Sequence, residues 1–572
     1  MSQTKTRRPK KRQLGQFMTP ESLATRLVKQ LGVSTATRVL EPSFGDGSFI
    51  LPLIEEFMSL YQGPVPARLD TILTKNVFGV EVDPRLFQLC LDSIARRWGY
   101  LPESHNLVLA DFFRHTFQSD TLDNPRGPWQ ALDADLSFDL VVGNPPFGGT
   151  IDPQIQDALD RKYGFRNGYK IKKETYAFFI VKCLDKLKVG GRLLFICSDS
   201  FLTIPTMRGL RRLLMEGGTV SVVSLRGFSE ETSYPTVLLD VTRSGRSDSI
   251  TVNGRQVYRS AMETTGNFSW AIENDDARFF AGPRLGDYVI CSSGMTIGKN
   301  EWFVKDVVGS DVIEHYDYEF FDEPITVAGE IQRARLHTLG ARALEKVTQQ
   351  VLAGGTRRCV RAIKMPTPER VRLPHPGYRF YNKATSGIIY VHPTHAVYWK
   401  DDGDAVLTFK KSGNWYLRGV GGKPYFGRAG LTWQLVASRL SVRYLPPGYI
   451  LDSGSPCAFL RRGVELSELF FILGWTCTEL CTRLLKTVIN HTQNIQSKDF
   501  ERLPYPVWVS EGDKQGAISI VRSLIDEAMA GRVVLRRDPE IGALEKLYSY
   551  QESDEARRSG DTREGSFQLA LW

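Results

Sequence analysis

The residues with the clearest chemical potential form one short run, Val141–Gly148 (VVGNPPFG). The side-chain oxygen of Asn144 and the carbonyl of Pro145 offer two hydrogen-bond acceptors, and Pro145 and Pro146 hold the backbone stiffly because each ring fixes φ. Two acceptors can bind both N–H groups of a flat exocyclic amine and localise its lone pair, while Phe147 can stack on the ring that carries the amine. This pattern suits attack by an aromatic amine on an electrophilic methyl group.

A second run, Val39–Phe49 (VLEPSFGDGSF), passes from an apolar strand through a glycine-bearing turn. Glu41 offers a carboxylate to a cationic or hydroxylated group, and Gly45 and Gly47 allow close approach to the backbone. The glycine spacing differs from the phosphate-binding G-x-G-x-x-G pattern, and a carboxylate precedes the loop. The run therefore predicts a binding loop for a small molecule.

Two more strand ends carry acidic residues. Glu81 and Asp83 follow the strand that begins at Val77, where a carboxylate is the expected partner of ribose hydroxyls. Asp111 and Phe112 follow the next strand, and they offer an acceptor for an adenine amino group and a ring to stack on it. The carboxyl ends of successive parallel strands meet at one edge of a sheet, so we expect these groups to converge.

Short apolar β-rich runs alternate with helical patterns from about residue 37 to residue 242, which predicts a mostly parallel, doubly wound α/β sheet. The helix expected at 19–31 has Thr19 as its N-cap and Pro20 at the first helical position. After about Gly245, turn dipeptides and short aromatic strands dominate, interrupted by helical patterns at 332–351, 466–489 and 517–529. The second half is therefore expected to be a separate α+β region.

The net charge of +9 is unevenly distributed. Residues 1–12 contribute +6 and residues 356–383 contribute +7, which leaves the rest of the chain mildly acidic. Two basic stretches on an acidic body favour a polyanionic partner; the alternative is a solvated disordered tail for the first stretch and a solvated face for the second. We expect Arg357, Arg358, Arg361 and Lys364 to contact the phosphates of such a partner.

The eight scattered cysteines indicate a reducing compartment, and Cys477 and Cys481 are expected in the core rather than at a zinc ion. No apolar run is long enough to cross a bilayer, and the N-terminus lacks the features of a signal peptide. These patterns predict a cytoplasmic protein without a bound metal.

In this order, FMTP (17–20), EPSFGDGSF, GVEVDP, ADFF and GNPPF resemble the TaqI-type, gamma-arrangement DNA methyltransferases of restriction–modification systems. The resemblance covers roughly residues 14–243 and continues weakly beyond. It implies a Rossmann-like class I methyltransferase sheet that binds S-adenosyl-L-methionine, followed by a C-terminal α+β target-recognition domain. The expected division is a basic arm at 1–13, the methyltransferase domain at 14–245, the recognition domain at 246–550 and a polar tail at 551–572.

The resemblance also assigns roles to individual residues. The cofactor would be held by Thr19, Pro20, Glu41, Gly45, Gly47, Glu81, Asp83, Asp111 and Phe112. The target base would be held by Asn144, Pro145, Pro146, Phe147 and Tyr234, of which Phe147 stands where tyrosine is commoner and Tyr234 matches more loosely.

The function implied is transfer of a methyl group to N6 of adenine in double-stranded DNA by a monomer associated with the nucleoid. No convincing nuclease motif is found in the sequence, so we expect a stand-alone modification enzyme that is either paired with a separately encoded restriction endonuclease or acts in another defence or regulatory system. Methylation of RNA or of a protein amide stays open as an alternative, as does a non-catalytic DNA-binding subunit.

Overall fold

The computed structural model describes residues 18–113, 137–146, 153–225, 235–307, 315–321, 357–363, 373–411, 414–415 and 420–550. The chain forms two compact units, Met1–Ala277 (unit 1) and Arg278–Trp572 (unit 2). The predicted basic arm, the polar tail and the helix expected at 332–351 lie outside the described residues.

The elements of unit 1 alternate between strands and helices along most of its length. Its helices are α1 (Glu21–Lys29), α2 (Ile50–Met58), α3 (Val65–Thr71), α4 (Pro84–Trp98), α5 (Pro153–Tyr163), α6 (Thr175–Lys186), α7 (Arg208–Gly217) and α8 (Arg259–Thr264). Its strands are β1 (Val39–Glu41), β2 (Val77–Glu81), β3 (Leu107–Leu109), β4 (Phe138–Gly143), β5 (Phe165–Arg166), β6 (Tyr169–Lys170), β7 (Leu187–Ser198), β8 (Gly218–Leu225), β9 (Thr236–Arg243), β10 (Ser249–Val252) and β11 (Arg255–Tyr258).

Nine of these strands form one sheet in the order β11-β10-β8-β9-β7-β4-β1-β2-β3. The five strands β7, β4, β1, β2 and β3 are parallel to one another, whereas β9 is antiparallel to both β7 and β8. The chain runs outward from β1 to β3 and then returns to place β4 on the other side of β1. The sheet therefore reverses its strand order between β1 and β4, the position at which open α/β sheets bind ligands.

Apolar side chains from the first helices and the central strands form the main core of unit 1. Leu53, Ile54 and Phe57 of α2 are fully buried there, together with Val39 of β1 and Val142 of β4. The strands can be apolar along their whole length because a parallel sheet is covered by helices. The predicted mostly parallel α/β sheet is confirmed.

The first helix begins one residue later than predicted. Pro20, rather than Thr19, is the N-cap of α1, and no side chain caps this helix. Pro20 itself has extended backbone, with φ of −56° and ψ of 133°, so it precedes the first helical turn instead of opening it. The Thr19 side chain is buried.

The boundary between the units lies at Ala277, later than the predicted residue 245. The reason is that β10 pairs with β8 and β11 pairs with β10, so residues 249–258 extend the large sheet. From the sequence alone, these short strands were predicted to belong to the second half of the chain.

Unit 2 combines short strands with helices that lie mostly near its C-terminal end. Its helices are α9 (Leu285–Tyr288), α10 (Asn300–Phe303), α11 (Asp404–Leu407), α12 (Leu466–Thr476), α13 (Glu479–Leu484), α14 (Ser497–Glu501), α15 (Glu511–Met529) and α16 (Pro539–Leu547). Its strands are β12 (Val289–Ser292), β13 (Val304–Asp306), β14 (His315–Phe321), β15 (Arg357–Ile363), β16 (Tyr378–Asn382), β17 (His395–Tyr398), β18 (Lys410–Lys411), β19 (Asn414–Trp415), β20 (Gly430–Trp433), β21 (Val442–Leu445), β22 (Ile450–Leu451) and β23 (Cys457–Leu460).

Two four-stranded sheets organise unit 2, in the orders β12-β23-β20-β21 and β13-β17-β16-β22. The helix expected at 466–489 is divided, because the Thr478 hydroxyl accepts a hydrogen bond from Cys481 N and caps α13. Cys477 and Cys481 are both fully buried, as predicted. Unit 2 is thus an α+β fold, which confirms the predicted class of the second half.

Among the residues described, no helix is both long enough and apolar enough to span a bilayer. Within the same ranges, His, Cys, Asp and Glu side chains form no group of three or more placed to hold a metal ion.

Arg211 joins the segment that follows β7 to the residues that follow α8. Its guanidinium is fully buried in α7 and donates to the carbonyls of Phe201, Ile204, Asn267 and Phe268. Replacing Arg211 with Met would leave these acceptors without their donor. We expect R211M to lower the free energy of unfolding of unit 1 by about 3 kcal/mol, measured by denaturant titration.

Arg212 provides a matched control, because its guanidinium lies 4.9 Å from the centre of the Phe268 ring. We expect R212M to cost about 1 kcal/mol or less. Equal losses of stability in the two variants would contradict the role given to the Arg211 hydrogen bonds.

Candidate active site

The carboxyl ends of β4, β1, β2 and β3 form a continuous edge of the sheet in unit 1. Glu41 and Glu81 are the last residues of β1 and β2, and Asn144 follows β4 directly. Asp111 lies two residues beyond the end of β3. Four predicted site residues from separate parts of the sequence therefore share this edge.

Asn144 is tied to Thr19, which is 125 residues away in the sequence. The Asn144 amide Nδ2 donates to the Thr19 hydroxyl at 3.2 Å, and Thr19 is buried. This bond joins the predicted target-binding residue to the start of the cofactor-binding region. Pro145 is buried and Pro146 is half-buried, so the turn after β4 packs against the rest of unit 1.

Glu41 lies beside the end of β4, since a Cβ placed on Gly143 would be 3.5 Å from Glu41 Cγ. Its side chain is 2% exposed, and its Oε2 has no hydrogen-bond partner among the described residues. Burial raises the pKa of Glu41 well above its ordinary value of 4.5, and the charges of Asp46 and Glu81 add to the effect. The hydroxyl of Ser43 is likewise buried with no partner in the described structure. Two such atoms in one loop indicate a polar ligand, because buried polar groups are normally paired.

The two glycines of the β1 loop adopt left-handed backbone, with φ of +59° at Gly45 and +93° at Gly47. A Cβ on Gly47 would lie 2.6 Å from Cys90 Sγ in α4, so this position requires glycine for close packing of the loop. Gly45 N donates to Glu81 Oε2 at 2.8 Å, which links the loop to the end of β2. The glycines thus shape the loop through contacts with the protein itself.

The Glu81 carboxylate uses most of its hydrogen-bonding capacity to accept from backbone N–H groups. Besides Gly45 N, its carboxylate accepts from Val82 N at 2.9 Å and Asp83 N at 2.8 Å. Burial raises the pKa of Glu81, while these three hydrogen bonds oppose the rise. Asp83 is the N-cap of α4 and accepts from Arg85 N at 2.9 Å, so part of its carboxylate serves the helix.

The turn after β3 is held by two interactions. Asp111 Oδ1 accepts from Phe113 N at 2.8 Å. The ring of Phe112 is 8% exposed and stacks on Phe179 of α6, with ring centres 5.1 Å apart. Phe112 was expected to offer its ring to a ligand, but the structure leaves little of that ring open.

Sequence reasoning missed two residues near this edge. Val82 is an apolar side chain that is 50% exposed, and it lies between Glu81 and Asp83. Lys182 is buried in α6 beside Phe112. The sequence signal for Val82 was an apolar residue between two carboxylates. The signal for Lys182 was a lysine within an otherwise apolar helical run.

Several predicted site residues lie outside the described residues: Phe147, Tyr234 and Lys364. Arg357, Arg358 and Arg361 belong to β15, which pairs antiparallel with β14, but the structure describes only the backbone of this strand. Their assigned contacts stay predictions.

Residues 75–225, from before β2 to the end of β8, match a family model described as the Eco57I restriction–modification methylase. The chain is 28% identical over 226 residues to the Type II methyltransferase M.BstVI of Geobacillus stearothermophilus, covering 36% of this chain and 37% of that protein. It is 29% identical over 240 residues to the Type II methyltransferase M.PaeR7I of Pseudomonas aeruginosa, covering 40% and 39%. These alignments thus span about two fifths of the relatives' length.

A solved structure of the Type IIL restriction–modification enzyme MmeI, in complex with DNA, is similar over 96% of this chain and 78% of that chain. The TM-score is 0.54 at 14% sequence identity, so the likeness concerns the fold. The predicted resemblance to methyltransferases of restriction–modification systems is confirmed by the sequence matches, and the predicted fold class is confirmed.

The unpaired Glu41 carboxylate should make the ligand-free protein less stable as the pH rises. The folded-state pKa of Glu41 is raised, so its contribution to stability is complete below the ordinary value of 4.5 and is lost as the pH rises through the folded-state pKa. Glutamine cannot ionise and has nearly the same shape. We expect E41Q to raise the melting temperature of the ligand-free protein at pH 8, with a smaller effect at acidic pH, measured by calorimetry.

Glu55 is a suitable control, because its side chain is 43% exposed and pairs with Arg97 on the surface of α2. E55Q should change the melting temperature little. A destabilised E41Q protein at pH 8 would show that the Glu41 carboxylate is well satisfied without a ligand.

Proposed function

We propose that this chain is a DNA methyltransferase of a restriction–modification system that transfers a methyl group from S-adenosyl-L-methionine to N6 of adenine in double-stranded DNA. The observation that carries the proposal is the position of Asn144, which follows β4 at the switch point of the sheet and is hydrogen-bonded to Thr19 beside the buried Glu41. The sequence matches to Type II methyltransferases support the same activity.

The residues along the sheet edge fit the proposed cofactor. The unpaired Glu41 oxygen suits the positively charged methionine end, and Thr19 and Pro20 lie at the same end through the bond to Asn144. Glu81 would accept from the ribose hydroxyls, and Asp111 from the adenine amino group. Asp83 and the loop glycines Gly45 and Gly47 would support these groups. When bound, S-adenosyl-L-methionine supplies a methyl group on a sulfonium ion.

Asn144 and the Pro145 carbonyl would accept the two hydrogens of the target amine. These acceptors would localise the nitrogen lone pair, which the purine ring otherwise delocalises, and would keep it available for attack on the methyl group. Pro146 keeps the turn rigid, so the acceptors are held in place before the base arrives. Catalysis then depends on orientation, since direct displacement at a methyl group needs no covalent link to the enzyme.

The target adenine would have to leave the DNA duplex to reach this edge. Extrusion of a base costs a few kcal/mol of stacking and pairing energy. Phe147 and Tyr234 would restore stacking on the extruded base. Basic residues of the recognition domain, Arg357, Arg358, Arg361 and Lys364, would bind phosphates.

In the same proposal, unit 2 reads the DNA sequence and the protein acts as a monomer in the cytoplasm, close to the nucleoid. A separately encoded endonuclease would cut the sites that the methyltransferase leaves unmodified. The cofactor chemistry assigned to unit 1 needs no metal ion.

Replacing Asn144 with Ala should remove the acceptor for the target amine while leaving the sheet intact. We expect methylation to fall about a hundredfold or more. The measurement is single-molecule sequencing of DNA from cells that express each variant, combined with a labelled-methyl assay on duplex DNA, RNA and protein.

Asn106 is the matched control, because it precedes β3 at the opposite edge of the sheet and donates to Thr74 O. N106A should retain methylation of adenine. Labelling of RNA or protein in place of DNA would favour the alternative substrates, and no labelling by the wild type would favour a non-catalytic DNA-binding subunit.

The basic strand β15 provides an independent test of DNA binding. Neutralising Arg357, Arg358 and Arg361 together should weaken affinity for duplex DNA and flatten its salt dependence. The slope of log K against log salt should change by about 0.9 for each phosphate that the variant no longer neutralises. Binding would be measured by fluorescence anisotropy at several salt concentrations.

The control is R246A, which removes an exposed arginine of unit 1 paired with Asp248. Its salt slope should match that of the wild type. An unchanged slope in the triple variant would assign the β15 arginines to a solvated face.

A further inference from the structure

Lys182 lies in an environment that is unusual for a lysine. It belongs to α6, where every residue from Tyr176 to Cys183 is buried, and it is 3% exposed. A leucine or methionine would fill this position without removing a charged group from water. The presence of lysine here therefore calls for an explanation beyond packing.

The ammonium group of Lys182 is directed at the turn after β3. Its Nζ donates to the backbone carbonyl of Phe112 and lies 3.7 Å from the centre of the Phe112 ring. Asp111 lies close enough to favour the charged form of Lys182. A single side chain from α6 thus contacts the backbone and the ring of one residue of the turn.

The turn contains the residue assigned to the adenine end of the cofactor. Asp111 and Phe113 are joined by a hydrogen bond of 2.8 Å, and Phe112 between them is held by Phe179 and Lys182. Phe179 and Lys182 are both in α6, so this helix positions the turn from one side. Contacts with α6 thus hold the middle residue of the turn that carries Asp111.

We propose that Lys182 is a positioning residue for the adenine end of the cofactor site, acting by fixing the Asp111–Phe113 turn rather than by touching the chemistry. This inference rests on the proposed function and assigns to Phe112 a role different from the expected one. Phe112 anchors the turn through its carbonyl and ring, and Asp111 is the group presented to the ligand. The exposed Val82 then offers the apolar surface for the adenine ring.

The charge state of Lys182 gives the inference a distinct signature. Burial lowers the pKa of Lys182 to about 7. The charged groups around it are Asp111 on the turn, Lys162 in α5 and Lys186 in its own helix, together with the thiol of Cys183. The ammonium form binds the Phe112 carbonyl and ring more strongly than the neutral amine does, because the charge strengthens both contacts.

The test uses the full chain and two probes, S-adenosylhomocysteine and adenosine, with binding measured by titration calorimetry. We expect K182M to weaken both probes about tenfold, because the anchored turn loses a hydrogen bond from a charged donor. K182R keeps a cation and should bind both probes nearly as well as the wild type. In the wild type, affinity should decrease as the pH rises through about 7, whereas the affinity of K182R should not.

Lys188 provides the control, since it follows α6 and its Nζ pairs with Asp139 at 2.8 Å on the surface. K188M should leave the affinity for both probes unchanged. Melting curves of all variants would identify any loss of folding, and K182R supplies the result if K182M does not fold.

The outcomes separate this inference from the proposed function. A wild-type protein that binds neither probe would overturn both. The role of Lys182 alone would be overturned if the wild type, K182R and a folded K182M all bind the probes with the same affinity and the same pH dependence. Weakened adenosine binding in K182M with rescue in K182R would support it.

Discussion

Parallel hydrogen bonding among β4, β1, β2 and β3 is the constraint on which the site depends. Parallel neighbours end at the same edge of a sheet, so residues that follow these strands converge wherever the chain has placed them in sequence. The reversal of strand order between β1 and β4 brings Glu41 and Asn144 to adjacent strand ends. The groups that we propose to bind the cofactor and the target base therefore lie on neighbouring strand ends.

Two buried ionisable side chains in unit 1, Arg211 and Glu41, differ in how fully their polar atoms are hydrogen-bonded. Arg211 is fully buried, and backbone carbonyls on several sides accept from its guanidinium. Glu41 is equally buried, yet one of its oxygens has no partner among the described residues. The first arrangement stabilises the fold, whereas the second costs stability in the absence of a ligand. In the proposed function, this unpaired oxygen accepts the cationic end of the cofactor.

Much of the architecture could be predicted because its signals are local. The alternation of apolar runs and helical patterns identified the strands of the large sheet, and the residues after them identified the edge that carries the site. The predictions were wrong where a tertiary contact overrode the local preference of the sequence. Strand β10 pairs with β8, and β11 pairs with β10, so residues 249–258 join the large sheet rather than the second half, and the 466–489 helix is interrupted at Thr478.

The sequence by itself determined which chemical groups stand at the strand ends: Glu41, Glu81, Asp111 and Asn144, in that order. Only the tertiary structure decided how each group is used. Glu81 is bound by backbone donors, Asp83 caps a helix, and Phe112 is packed against α6. The Thr19–Asn144 bond and the Lys182–Phe112 contact join residues 125 and 70 positions apart. Pairings at such separations depend on how the strands and helices pack, and no local pattern of residue types specifies them.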